Sequence, residues 1–430
     1  MKSKKSIKIT VPNVIFQREL DEAMEIINKA RNSINAIKEE NFNFERIHDQ
    51  YIIHLQQCQG DHGQLREIFK TLKQKLDYSS HNYPSTTQIK YLVTSPRRDR
   101  LAPPSLASLE NYNGTPEIQT LTESPTNIKL RYALNTSSHL GVIQFSSDGS
   151  KIAFADGYFL YIINAENGEI FSIIQLPLPL DGEPHSLALK FSPNDDLLAI
   201  NCCNGSIILF DLEKEAILHR FELHKNEVNS IIFVENKLIS CSYDGFIAIW
   251  DTKTYKVIKV IPENGGKFES PIIGMAAADG APFYIVGFAN GRIGIFDEDF
   301  MQPMISFIGH ENEVFSVALS AYDNCIGTSS SFEQIVKIWS LRGVASLRQT
   351  LIGHTGFVKT IAFSSLQQLV FTGSSDKSIC MWQYITGVKV AEIRMHDDEI
   401  SCLSHHPRKK SFASCSKDGI ICVWDYDFPN

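Results

Sequence analysis

The chain has 430 residues, 43% of them hydrophobic and 21% charged, which is ample apolar material for a core but too long for one ordinary domain. The net charge of −8 is uneven: residues 127–430 carry 24 Lys and Arg against 34 Asp and Glu. That balance argues against a broad duplex-binding face, because phosphate neutralisation needs clustered cations, and no sequence-specific nucleic-acid contact is expected. No run approaches the roughly 18–20 apolar residues of a membrane span. The segment Met1–Thr10 is basic but lacks the apolar core of a secretion signal. Nine cysteines without a CxxC pair or a regular framework fit a reducing, intracellular setting.

The first predicted element spans residues 14–78. Its apolar positions alternate three and four residues apart, through Leu20, Ala23, Ile27, Ala30, Ile34, Ile37, Phe44, Tyr51, Leu55, Cys58, Leu65, Phe69, Leu72 and Leu76. Two positions per heptad make a stripe too narrow for one helix to bury alone, so the segment 1–78 reads as a coiled coil that self-associates. Leu20, Ile27, Ile34, Ile37, Phe44, Leu55, Leu65, Phe69 and Leu72 would form its seam. Asn41, His48 and His62 interrupt the stripe, as polar groups that fix register do. Gly60 and Gly63 leave a helical hairpin open, and a single helix lying on the second domain is the plainer alternative.

Residues 79–126 contain Pro84, Pro96, Pro103, Pro104, Pro116 and Pro125 among many Ser, Thr and Asn. Proline at this density interrupts helix and sheet, and few apolar residues drive collapse, so a flexible linker is expected. Ser95-Pro96, Thr115-Pro116 and Ser124-Pro125 resemble proline-directed phosphorylation sites, and Arg97, Arg98 and Arg100 a short import signal. Such dipeptides and small clusters are common in any tract of this composition.

From residue 127 the sequence repeats. A large apolar residue that would close the third strand of each unit falls at Ile163, Phe210, Trp250, Phe296, Trp339, Trp382 and Trp424. The steps, 40 to 47 residues, have the period of a four-stranded propeller blade, and the four tryptophans of the chain all occupy this one position. Only five residues follow Asp425, too few for the outermost strand of a seventh blade. The segment Ile128–Leu134 alternates apolar and polar with period two and is assigned as that missing strand, closing the ring and removing an exposed edge.

These units resemble WD repeats. Trp250-Asp251 and Trp424-Asp425 match the terminal dipeptide, with Phe210-Asp211 and Phe296-Asp297 as variants. Gly309-His310 and Gly353-His354 match the leading one, with Leu223-His224 and Met395-His396 in the same place. The resemblance implies an all-β, seven-bladed propeller in which a His, a strand Ser or Thr, a turn Asp and the Trp form a hydrogen-bonded clamp. Here the clamps would be His224, Ser240 or Ser242, Asp244 and Trp250; His354, Thr372 or Ser374, Asp376 and Trp382; and His396, Ser414 or Ser416, Asp418 and Trp424. Blades one, two, four and five depart from this set. Recurrence at the repeat period marks these Ser-His-Asp groups as structural, since an active site would not repeat. The resemblance also implies a partner-binding face where the loops leading into the blades meet the turns between second and third strands. By position it would hold Glu227, Asn229, Tyr243, Glu313, Phe315, Phe332, Phe357, Lys359, Glu399 and Lys417, with the aromatic rings as anchors.

The order of coiled coil, linker and propeller is similar to that of the Tup/Groucho transcriptional corepressors. The stretches Phe145–Gly149, Phe191–Asp195 and Gly309–Val317 also look Tup-like. That resemblance implies a nuclear scaffold, also present in the cytoplasm, recruited by DNA-bound repressors and engaging chromatin-associated proteins such as histones. Alternatives are a G-protein β-like subunit, against which the long linker argues, and a WD-repeat adaptor of another multiprotein complex. No enzyme and no cofactor are expected, because the chain has no P-loop, dinucleotide fingerprint or HExxH. Cys402, His405, His406, Cys415 and Cys422 lack the spacing of a known zinc site and read as strand residues.

Overall fold

A computed structural model describes residues 110–429, apart from 122–125, 137, 157–158, 177–187, 203, 263–267, 278–282, 298–302, 321 and 342–344. The coiled coil expected over 1–78, with its nine seam residues, lies outside the described residues, as does the linker as far as residue 109.

The described residues form seven antiparallel sheets. Blade one begins with strand Val142–Phe145 and ends with Ile170–Gln175; blade two runs from Leu189–Phe191 to Ala216–Phe221. Blade three runs from Val228–Val234 to Val257–Ile261, blade four from Ile272–Ala276 to Pro303–Ile308, and blade five from Val314–Leu319 to Ser346–Ile352. Blade six runs from Val358–Phe363 to Val388–Arg394. Blade seven takes Ile400–His405, Ser411–Ser416 and Ile420–Asp427 from the end of the chain. The first strands of successive blades pack side by side in an unbroken ring, and Ile400–His405 meets Val142–Phe145 to close it.

The second and third strands are almost wholly buried, because each lies between neighbours in its own sheet and between the faces of adjacent blades. Strands buried on both faces read as continuous apolar runs, as in Ile207–Asp211 and Ile247–Asp251. The closing residues expected from the sequence sit there: Ile163, Phe210, Trp382 and Trp424 are fully buried. At each of them the pairing with the fourth strand slips by one residue, so the same bulge recurs in all seven sheets. A bulge sharpens the local twist, which is what a blade radiating from an axis needs.

Blade seven is completed by the strand β3, where β1 denotes Glu110–Asn111, β2 Glu117–Thr120 and β3 Asn127–Asn135. β3 pairs with Ile420–Asp427 along its length, in the place assigned to Ile128–Leu134 from the sequence. Its bulge residue Arg131 donates from Nε to Asp425 (2.9 Å) and forms a second, shorter bond from its other guanidinium arm to the same carboxylate. The guanidinium also reaches Glu166 of blade one (3.2 Å), which Lys409 of blade seven joins (2.8 Å). Charges of both signs thus span the seam where the ring closes.

The expectation of a linker through residue 126 needs correction. β1 adds a fifth strand to blade seven by pairing with β3, and β2 adds a fifth strand to blade six by pairing with Val388–Arg394. Pro116 does not prevent this, because it stands just before β2, where a missing N–H removes no ladder bond. Tyr112 and Ile118 pack on the apolar cluster shared by blades six and seven, so a strap of polar sequence is held by two side chains and borrowed backbone bonds.

Candidate functional site

The clamps lie at one end of the blades, where each inbound loop crosses the turn between second and third strands. In blade six, Trp382 Nε1–H donates to Thr372 Oγ1 (2.8 Å), which lies 2.7 Å from His354 Nε2, while His354 Nδ1 lies 2.9 Å from Asp376. The carboxylate can only accept, so Nδ1 of His354 carries the hydrogen it donates; in the neutral ring Nε2 is then the acceptor of the Thr372 hydroxyl hydrogen, and the hydroxyl oxygen receives from Trp382. Blade three repeats this with Trp250, Ser240, His224 and Asp244 (3.0, 2.8 and 3.1 Å), and blade seven with Trp424, Ser414, His396 and Asp418 (3.1, 2.9 and 3.1 Å). The choice left open between two hydroxyls in each strand resolves into two jobs. Ser242, Ser374 and Ser416, two residues further on, accept the N–H of the turn Asp instead (3.1, 3.1 and 3.2 Å).

Each carboxylate also ties loop to turn. Asp376 accepts from the N–H of Thr355 in the inbound loop (2.8 Å) and of Ser378 after the turn (2.9 Å). Burial opposes ionisation of Asp376, but hydrogen bonds from His354, Ser378 and the backbone outweigh it and hold the carboxyl well below the usual range. Asp244 and Asp418 are lowered in the same way. The turns leave little space: Gly291 has φ 79°, and a Cβ there would stand 2.0 Å from the carbonyl oxygen of His310.

Blade five corrects the expectation that its clamp departs from the set. Trp339, Thr328 and His310 make the same contacts (2.8 and 2.8 Å), with Glu333 Oε2 in the place of Asp (2.8 Å). One more residue separates Thr328 from Glu333 than separates Thr372 from Asp376, and the longer side chain spans the added distance. Glu333 accepts from the Glu311 N–H (2.9 Å) and pairs with Lys337 (3.3 Å). Burial holds the His310 ring below its ordinary pKa against the pull of Glu333. The sequence signal was present, since His310 follows Gly309 and Glu333 stands six residues before Trp339.

Blades one, two and four hold this end together differently. In blade one Asp156 accepts from the Phe159 N–H (2.7 Å) and the Tyr161 hydroxyl (3.3 Å). In blade two Asn201 accepts from the Ala188 N–H (2.9 Å) and donates to the Val228 carbonyl of blade three (2.9 Å). In blade four the Asn290 N–H donates to Ser270 (3.0 Å).

The ten residues named for a partner face gather at this same end. The backbone pairs residues just before the turns with residues just before the first strands: Tyr243 N–H with Glu227 (3.0 Å), Ser331 with Glu313 (3.2 Å), Ser375 with Phe357 (2.8 Å) and Lys417 with Glu399 (3.2 Å). In blades three to seven the first strand then slips register by one residue, and the residues skipped are Asn229, Ile273, Phe315, Lys359 and Ser401. A bulge re-aims its side chain. Asn229 uses this to donate to the Ile272 carbonyl of the next blade (2.7 Å). Lys359 uses it to pair with Glu399 of the next blade (2.6 Å), which Lys417 also meets (2.5 Å). Burial raises the pKa of Glu399, but these two ammonium groups more than offset that. Glu399 is therefore neutralised by its two lysines and offers no free negative charge for steering a basic partner; the trio is left with a net positive charge. Phe315, Phe332 and Phe357 remain 39%, 57% and 40% exposed, and the Phe332 and Phe357 rings meet edge to face, 5.9 Å apart.

Among the described residues no group of three or more His, Cys, Asp or Glu is placed to hold a metal ion, and no helix is long and apolar enough to cross a membrane. His405 Nε2 contacts the Tyr426 hydroxyl (2.7 Å), and His406 Nδ1 accepts from the N–H groups of Arg408 and Lys409 (3.0 Å each).

Comparison with known proteins agrees with this architecture. The family model "WD domain, G-beta repeat" matches residues 301–340, 345–383 and 387–425, and the "Anaphase-promoting complex subunit 4 WD40 domain" matches 181–236. Over 239 residues the chain is 24% identical to Periodic tryptophan protein 2 of Arabidopsis thaliana, covering 55% of this chain and 21% of that protein. It is 27% identical over 265 residues to Nuclear distribution protein nudF of Aspergillus niger, covering 53% and 58%. It is 25% identical over 266 residues to WD repeat and FYVE domain-containing protein 1 of Mus musculus, covering 50% and 63%. In each case the chain spans less than two thirds of the relative's length.

Proposed function

We propose that this chain, a WD40-repeat protein, is a non-catalytic adaptor that holds partner proteins on the clamped end of its propeller. The observation that carries the reading is the gathering, at one end, of a rigid hydrogen-bonded frame and three exposed phenylalanines. A frame that fixes loops in place lowers the entropy lost on binding, and aromatic rings supply contact area. The relatives bear names as different as nuclear distribution, FYVE-domain and autophagy-related proteins, which favours a general adaptor over one dedicated process. The narrower corepressor reading, with repressors and histones as partners and a nuclear location, rests mainly on the order of segments, with three short Tup-like stretches beside it. Self-association through residues 1–78 belongs to the same proposal, since several propellers on one oligomer would raise avidity without new contacts.

The test is crosslinking in native cells followed by purification of the full chain and of a variant with Phe315→Ala and Phe357→Ala. The variant is expected to lose its partners while melting within a few degrees of the parent. Unchanged capture, or loss accompanied by a large stability drop, overturns the reading. Chromatin proteins among the partners would favour the corepressor, and a small prenylated subunit the G-protein alternative.

A further inference from the structure

We infer that the blade five–six sector of this face receives a peptide segment carrying an Arg or Lys side chain. The inference rests on the adaptor reading and deepens it.

The first observation is the extra residue in blade five. It lengthens the turn after Thr328 and pushes Phe332 outward, so that the ring is the most exposed phenylalanine in the described part of the chain. Phe332 leans on Phe357 from the inbound loop of blade six, leaving ring faces open to solvent. Phe315, the bulge residue of blade five, stands at the same end and has no polar group to spend on a neighbouring blade, unlike Asn229 and Lys359.

The second observation is charge. Among the described residues the carboxylates of Glu311 and Glu313 pair with no cation, whereas Glu399 in blade seven is met by two. Glu313 flanks Phe315 on the same strand approach, and its carbonyl accepts from Ser331 next to Phe332. Open carboxylates beside open ring faces attract a cation twice, through Coulomb energy and through the ring quadrupole.

The third observation is unmet hydrogen bonding. The buried hydroxyls of Ser330 and Ser331 have no partner, while Ser242 and Ser416 in the matching strands bond to carbonyls of their inbound loops (3.2 and 3.1 Å). The lengthened turn has lost that tie. Unpaired buried hydroxyls are costly, so this turn is held less firmly than its counterparts and gives way more readily to a segment laid against it. Open rings and unpaired carboxylates beside a loosely held turn fit a basic peptide, not an acidic one.

The full chain, immobilised, would be probed with four pools of nonapeptides. Each pool has uncharged random flanks and a fixed central Arg, Lys, Leu or Glu. The Arg and Lys pools should be retained above the Leu pool, and the Glu pool excluded. Phe332→Ala should weaken retention of the Arg pool about tenfold, an effect of the size expected for a desolvated ring contact. Phe332 is so exposed that the fold should not change, which a melting curve checks. Glu313→Gln should narrow the preference for Arg over Leu. Equal retention of the Arg and Leu pools, or a preference that survives both substitutions, overturns the assignment. Capture from cells by the Phe315→Ala, Phe357→Ala variant tests the adaptor face without regard to charge, so the two failures are distinguishable.

Discussion

Blades five to seven and blades one and two build the same core of four strands by different means, the fifth strands of blades six and seven aside. In the later blades a buried Trp, hydroxyl, His and carboxylate chain ties loop to turn within each blade. In the early blades the ties are shorter or run between blades. At the opposite end of blades one and two, for example, Asp195 accepts the N–H groups of Ser147 and Asp148 in the preceding blade (2.6 and 2.7 Å). The difference teaches that the clamp is not what makes a blade. Burial of the second and third strands between neighbouring sheets does that in both regions, through clusters that join blade seven to one and one to two as well as six to seven. The clamp instead fixes the loop end, and it is most complete in the region where the exposed phenylalanines gather.

The severest way to break the comparison is to remove the element that makes both regions one ring. A chain beginning at Ser138 lacks β3 and leaves the third strand of blade seven as an open edge beside blade one. It should aggregate or unfold without a cooperative transition, read by size-exclusion chromatography and thermal melting. A monomer with unchanged melting would show that the clamped blades close without it.

A single clamp should come next. Asp376→Ala strands His354 and two backbone N–H groups in a buried site and should cost about 3 kcal/mol. Asn204→Ala in blade two removes only a short turn contact with Ser206 and should cost less than ~1 kcal/mol. Urea unfolding of both variants measures the ratio, and equal losses would erase the distinction between the regions.

Mild acid should produce the smallest effect and the finest separation. His405 is pushed down to about 3 by burial, and burial also lowers His310 and His406. Their folded values lie below the unfolded value near 6.5, so as pH falls the unfolded chain takes up protons first. Stability from these groups is complete above about pH 6.5 and declines below it. All three lie in blades five and seven. The lowered carboxylates add their loss only below about pH 4. Hydrogen exchange at pH 5 should therefore loosen blades five and seven before blade two, and the reverse order would contradict the assignment.

Much of this was legible in the sequence because one constraint recurs. A blade must bury its third strand at a fixed point, so Ile163 and Phe210 were locatable from the period even without a Trp. β3 was legible because it is half-buried and alternates. The strap 110–121 was not, because its strands take their hydrogen bonds from sheets already formed and contribute only Tyr112 and Ile118 to packing. The clamp of blade five was passed over because Glu333 differs from the expected Asp. The added residue that makes the longer side chain necessary lies within the turn, before Glu333, where spacing measured back from Trp339 does not register it.

The pairing of β3 with Ile420–Asp427 also bears on how the protein is made. Arg131 and Asp425 are 294 positions apart, so a strand synthesised early must wait for one synthesised almost three hundred residues later. Until then six blades can assemble in order behind the ribosome while β3 has no third strand to join. Bringing such distant segments together is entropically slow, and an unsatisfied strand is a target for wrong pairing meanwhile. Newly made chains should therefore depend on chaperones during that interval, and ribosomes halted before residue 420 should release a product that holdases retain.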